Sequence, residues 1–77
     1  MPRKSATLIP VAPLERLMLQ AGAERVSRKG AEELANVLVD RATHIAQAAV
    51  KIAGHSGRKT VQAKDIELAA ETFSEAA

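Results

Sequence analysis

Basic side chains are the residues of this sequence best suited to chemistry, and they concentrate toward its start. Residues 1–30 hold six bases and two acids, whereas residues 31–77 hold five bases and seven acids. From Asp65 onward there are four acids and no base. This asymmetry predicts one face for a polyanion and another for solvent or a partner. An ordinary mixed surface is the alternative, because the net charge is only +2.

The same sequence offers little to catalysis or metal binding. It has no Cys and two His, so it predicts neither a thiol nucleophile nor a metal site. The turn segment from Gly54 to Gly57 is too short for a glycine-rich phosphate loop, and no carboxylate pair or activated nucleophile is recognisable. We therefore expect a protein that is not an enzyme and that binds no cofactor and no small-molecule substrate.

The start of the chain and its apolar runs bear on where the protein resides. No apolar run approaches the roughly 20 residues that span a bilayer. Residues 1–8 include Arg3 and Lys4 and lack the apolar core of a signal peptide, so we expect a short, flexible, basic lead. These features predict a cytoplasmic protein without membrane contact.

Apolar residues recur at the three- and four-residue spacing of amphipathic helices, which predicts an all-α chain. Pro13 suits the first turn of one helix, and Gly22 suits the position just after its end. Ser27 is a good N-cap for a second helix, which meets no breaker until Gly54. The order of elements is thus a short helix followed by a long one.

A third helix follows a turn over residues 54–57 and a short extended piece over residues 58–61. It begins near Gln62 or Ala63, and the acids in its early turns suit the positive end of the helix dipole. The chain therefore reads as three helices that are short, long and short.

The length of the second helix indicates a partner. Residues 27–53 as one helix would span roughly 40 Å, whereas a compact chain of this size has a radius of gyration of about 11–12 Å. Two short helices can cover only part of an apolar stripe that runs nearly its full length. We therefore expect a second copy to cross this helix near its middle.

Three stretches of the sequence closely resemble the archaeal histones, and together they cover about residues 9–73. They are Pro10-Val11-Ala12-Pro13, then Ala21-Gly22-Ala23-Glu24-Arg25-Val26-Ser27, and finally His55-Ser56-Gly57-Arg58-Lys59-Thr60-Val61 with Ala63-Lys64-Asp65-Ile66-Glu67-Leu68-Ala69. Any one stretch is weak, but all three at this spacing are strong. The resemblance implies a histone-fold domain over residues 9–77, with two chains intertwined as a handshake dimer.

The resemblance also implies a function. The protein would bind double-stranded DNA without sequence specificity and compact it into nucleosome-like chromatin on the chromosome. Its partners would be DNA, further copies of itself in tetramers or polymers, and paralogous histones.

In a handshake dimer the first loop of one chain lies beside the second loop of the other, which implies a composite DNA site. Its residues are Arg16, Arg25, Ser27, Arg28, Arg58, Lys59 and Thr60. Arg25 is expected in the minor groove, with Thr60 of the other chain holding its guanidinium. Lys59 and the N–H groups at the start of the second helix are expected at phosphates. Arg16 is expected to reach DNA at the dimer centre.

Two further contacts are implied by the resemblance. Arg58 and Asp65, seven residues apart, match an ion pair that clamps the second loop. Ile52, His55 and Asp65 match the contact between dimers.

Two other classes of function remain open. A histone-fold protein that mainly binds protein partners, as in transcription-factor complexes, is supported by the acidic third helix. A sequence-specific repressor of another helical type is disfavoured, because a single long middle helix does not suit helix-turn-helix geometry. A packaging protein differs from both, since it binds unrelated duplexes with similar affinity and weakens steeply with salt.

Overall fold

The computed structural model describes residues 8–76, and the side chains of residues 8–72. Three helices lie wholly within this range: α1 (Ala12–Gln20), α2 (Arg28–His55) and α3 (Ala63–Ala76). No residue of the range lies in a strand. The predicted all-α chain of short, long and short helices is therefore confirmed. The predicted lead over residues 1–8 lies outside the described residues, apart from the exposed Leu8.

Helix α1 begins and ends as its proline and glycine predict. Pro13 lies in its first turn, where a missing N–H costs nothing. After its end, Gly22 has a φ of +118°, which favours glycine. The Gly22 N–H donates to the Leu19 carbonyl at 3.1 Å, and the Ala23 N–H donates to the Met18 carbonyl at 3.0 Å. These two bonds form a Schellman motif, which satisfies the last carbonyls of the helix.

Helix α2 is longer than the prediction that ended it before Gly54. It continues through Gly54 to His55, so His55 is the last helical residue and not part of a turn. A glycine inside a helix lowers its stability but does not end it. The chain leaves the helix at Gly57, whose φ is +76°. There the Arg58 N–H donates to the Ala53 carbonyl at 2.9 Å, again in a Schellman motif.

The described chain divides into two compact units, residues 1–40 and 41–77, and the division falls in the middle of α2. In the first unit Leu14 is buried, together with three residues of α2 spaced four apart: Ala31, Ala35 and Val39. In the second unit the buried apolar residues are Ala49, Ala53 and Ala69. Each core is built largely of alanine.

An ion pair fixes the loop between α2 and α3. The carboxylate of Asp65 accepts hydrogen bonds from Nη1 and Nη2 of Arg58, each at 2.8 Å. It also accepts one from the backbone N–H of Gln62 at 2.8 Å, which ties the start of α3 to the loop. Asp65 is only 1% exposed, and it is the largest fully buried side chain in the described range. The predicted extended piece over residues 58–61 is instead an irregular loop.

Hydrogen bonds to the carboxylate, chiefly from Arg58 and then from Gln62, hold the pKa of Asp65 well below its usual range. Because this pKa is lower in the folded chain than in the unfolded one, ionised Asp65 stabilises the fold above pH of about 4. This contribution is lost progressively as the pH falls below that value.

We expect Asp65→Asn to melt several degrees lower than the natural chain at neutral pH, because it loses the ion pair of a buried group. The difference should narrow as the pH falls from about 5 to about 2, since Asp65 itself becomes protonated there. Circular dichroism melting of both proteins across this range measures it. Glu67→Gln, at an exposed acid of the same helix, is the control and should change little. A difference that stays constant with pH would contradict the expectation.

Candidate nucleic-acid interface

The start of α2 is a cationic helix N-terminus. Arg28 and Lys29 form its first residues, no acid lies in its first turn, and both side chains are exposed. Arg25, in the loop just before it, is exposed as well. The first N–H groups of any helix lack acceptors within the helix, and its dipole places positive charge there. This end of α2 therefore suits an anion such as a phosphate.

Ser27 caps this helix. Its Oγ accepts a hydrogen bond from the Gly30 N–H at 2.9 Å, as an N-cap serine does. The hydroxyl proton is not used in this bond and can donate to an oxygen outside the chain. A Cβ on Gly30 would lie 3.0 Å from this Oγ, so the absence of a side chain keeps the cap in place.

Arg28 makes one contact that sequence analysis missed. Its Nε lies 3.3 Å from Oε2 of Glu32, one helical turn away. Both side chains are more than half exposed, at 71% and 51%. An exposed pair of this spacing contributes at most a few tenths of a kcal/mol. The pair therefore leaves Arg28 able to exchange its partner for a phosphate.

The second loop presents two of its predicted residues and withdraws the third. Lys59 and Thr60 are exposed, whereas the Arg58 side chain is 23% exposed and turned to Asp65. Nη1 of Arg58 also donates to the Thr60 carbonyl at 3.1 Å, which holds the loop backbone. The hydrogen bonds with Asp65 raise the pKa of Arg58 further, so its guanidinium remains charged.

The remaining predicted residues fall on helices. Arg16 is exposed on α1, in the same unit as Arg25 and the start of α2. Ile52 is half-buried near the end of α2, and His55, its last residue, is exposed. The structure thus groups Ser27 with Arg28 at the start of α2, and Arg58 with Thr60 and Asp65 in the second loop.

Two residues of this second unit were not singled out from the sequence. The backbone of Gln62 is the third partner of Asp65, and the spacing from Gln62 to Asp65 is the signal, since the third residue of a helix often bonds back to its N-cap. Leu68 lies one turn after Asp65 on α3 and is 51% exposed. Its exposure could not be foreseen, because position 68 belongs to neither predicted stripe.

The part of the chain that the structure describes offers no metal site of the usual kind. It holds no group of three or more His, Asp or Glu placed to bind a metal ion. No helix within the described range is long and apolar enough to cross a membrane.

Comparison with known proteins places these features in a family. Residues 7–70 match the family described as histone-like transcription factor (CBF/NF-Y) and archaeal histone. The chain is 48% identical over 61 residues to the archaeal histone HAN1 of Thermococcus zilligii, covering 79% of this chain and 91% of that protein. It is 41% identical, with the same coverage, to probable archaeal histone 3 of Methanocaldococcus jannaschii. The chain therefore belongs to the family of histone-like transcription factors and archaeal histones, whose histones bind and package DNA.

Proposed function

We propose that this protein binds double-stranded DNA without sequence specificity, and wraps and compacts it as dimers that assemble into tetramers or longer polymers. The observation that carries the proposal is the cationic start of α2, where exposed Arg25, Arg28 and Lys29 surround a helix N-terminus with no acid in its first turn. Such an end binds phosphate by charge and by backbone N–H groups, neither of which reads the base sequence. Membership of the histone family identifies the phosphate as that of DNA.

The dimer rests on apolar surface that one chain leaves open. Eight large apolar side chains of the described range are 37% exposed or more: Leu8, Leu17, Leu19, Val37, Val50, Val61, Ile66 and Leu68. In the second unit an open groove on α2 is lined by Thr43, Ala46, Gln47, Val50 and Lys51. So much open apolar surface marks an interface, and a second histone-fold chain in the handshake arrangement covers it.

The DNA site then draws on both chains. In the handshake arrangement Arg25 and the start of α2 of one chain lie beside Lys59 and Thr60 of the other. Arg25 enters the minor groove, and Lys59 and the Ser27 hydroxyl meet phosphates. Arg58 acts indirectly, because its guanidinium is bound to Asp65 and to the Thr60 carbonyl. Arg16 adds a contact at the dimer centre.

A second candidate is a histone-fold protein whose main partners are other proteins. It is favoured by the second unit, where Glu67 and Glu71 are exposed on α3. Such a protein would bind DNA weakly or only with its protein partners.

Binding to several unrelated duplexes, followed by nuclease digestion, separates the two candidates. The packaging function predicts similar affinities, a steep loss of binding with salt, and protected fragments of regular size. A marked preference for one sequence, or no protection at all, would refute it.

We expect Arg25→Ala to weaken binding about tenfold on every duplex while the dimer stays intact, because a minor-groove arginine contributes charge and no base readout. Electrophoretic mobility shifts on unrelated duplexes measure the affinity, and ultracentrifugation reports the dimer. Lys64→Ala removes an exposed base of α3 outside the proposed site and serves as the control. Equal affinities for Arg25→Ala and Lys64→Ala would remove Arg25 from the site.

Salt titrations distinguish the roles of the two neighbouring bases in the second loop. We expect Lys59→Ala to reduce the slope of log affinity against log salt by about one, since it loses one phosphate contact. Arg58→Gln should lower the affinity at every salt concentration and keep the natural slope, because it disturbs the loop without removing a contact. A slope reduced equally by both variants would make Arg58 a direct phosphate contact.

We expect His55→Ala to leave the dimer intact and to shorten assemblies on DNA. His55 is exposed at the end of α2, as a contact between dimers requires. Lengths of nuclease-protected DNA measure the assemblies, with His44→Ala, at the other histidine of α2, as the matched control. Unaltered lengths for His55→Ala would exclude His55 from this contact.

A further inference from the structure

Arg41 lies at the middle of the longest helix. Helix α2 runs from Arg28 to His55, so its midpoint falls between Arg41 and Ala42. The two compact units divide at the same place, between Asp40 and Arg41. This midpoint is where a crossing helix covers both halves of α2 equally.

The position also lies on an apolar face. Going toward the end of α2, Ile45, Ala48 and Ile52 follow Arg41 at four, seven and eleven residues, which keeps them on one side of a helix. All three are half-buried within their own unit, whereas Arg41 is exposed. Leu34 and Leu38 of the predicted stripe precede it at seven and three residues. A charged residue thus interrupts an otherwise apolar face at its centre.

Symmetry gives this interruption a consequence. In a dimer of identical chains the interface is isologous, and a residue near the twofold axis meets its own copy. Two copies of α2 that cross at their midpoints would bring two Arg41 side chains together. Guanidinium groups stay charged at all relevant pH values, and like charges placed together at an interface are unfavourable. Asp40 is about 100° round the helix from Arg41 and so lies on the flank of this face.

We infer that this chain pairs preferentially with a different histone-fold chain, one that carries a carboxylate at the middle of its own long helix. Such a partner replaces the repulsion between two guanidinium groups with a charge-assisted hydrogen bond. A single polar residue in an apolar seam is a known way of selecting the partner at some cost in stability. The inference rests on the dimer of the proposed function.

Mixing the chain with its own charge-reversed variant tests the inference without knowledge of the natural partner. The natural chain and Arg41→Glu are unfolded, mixed in equal amounts, refolded without DNA and analysed by native mass spectrometry. Random pairing gives mixed dimers as half of all dimers. We expect mixed dimers to reach at least about three quarters, because only they place opposite charges at the axis.

Two further variants complete the design. Lys29→Glu makes the same charge change about 18 Å along the helix from position 41, and its mixture should contain mixed dimers at the random half. Arg41→Leu removes the charge without adding another, and it should lower the dissociation constant of the homodimer at least about tenfold. This second readout holds even where Arg41→Glu fails to fold.

The outcomes separate the inference from the proposed function. Mixed dimers at the random half, or no tightening by Arg41→Leu, would overturn the inference and leave the dimer standing. Exclusion of Arg41→Glu from dimers of the natural chain would overturn it too, since it would pair Arg41 with Asp40 of its own copy. Absence of dimers in every sample would refute the proposed function itself.

Discussion

The constraint on which the whole molecule depends is the apolar surface of α2 that one chain cannot cover. A helix of 28 residues is about 42 Å long, and the helices beside it have nine and 14 residues. Of the seven buried apolar residues in the described range, five are alanine, while eight larger apolar residues remain exposed. The hydrophobic effect scales with the area removed from water. Most of the stabilisation available to this sequence therefore lies at an interface with a partner, and association and folding are coupled.

The loops that carry the basic residues are built independently of that interface. Ser27 caps α2 within its own loop, and Gly22 and Gly57 end the first two helices by Schellman motifs. In the second loop, Asp65 bonds to the side chain of Arg58 and the backbone of Gln62. Each contact spans seven residues or fewer, so both loops reach their shape from local sequence. The partner is then needed to bring them together and has no part in shaping them.

This division explains what the sequence could and could not predict. The helices follow from local signals, such as Pro13 at the start of α1 and Ser27 before α2, and from apolar periodicity. The end of α2 was placed too early, because Gly54 looks like a breaker while the φ that ends the helix belongs to Gly57. The bond from Arg58 to the Thr60 carbonyl was not predicted either, since it depends on the path of the loop backbone. The roles of Arg25 and Lys59 toward DNA depend on a second chain and stay predictions.

The two kinds of charge in this protein respond differently to ionic strength. Lys59 and the bases at the start of α2 face water, so dissolved ions at physiological concentration screen them within about 8 Å. The carboxylate of Asp65 is buried and bound by short hydrogen bonds, and buried pairs are screened much less. Concentrated salt therefore strips away bound polyanion while the second loop keeps its geometry. When the salt is diluted again, that loop recaptures the polyanion without first having to refold.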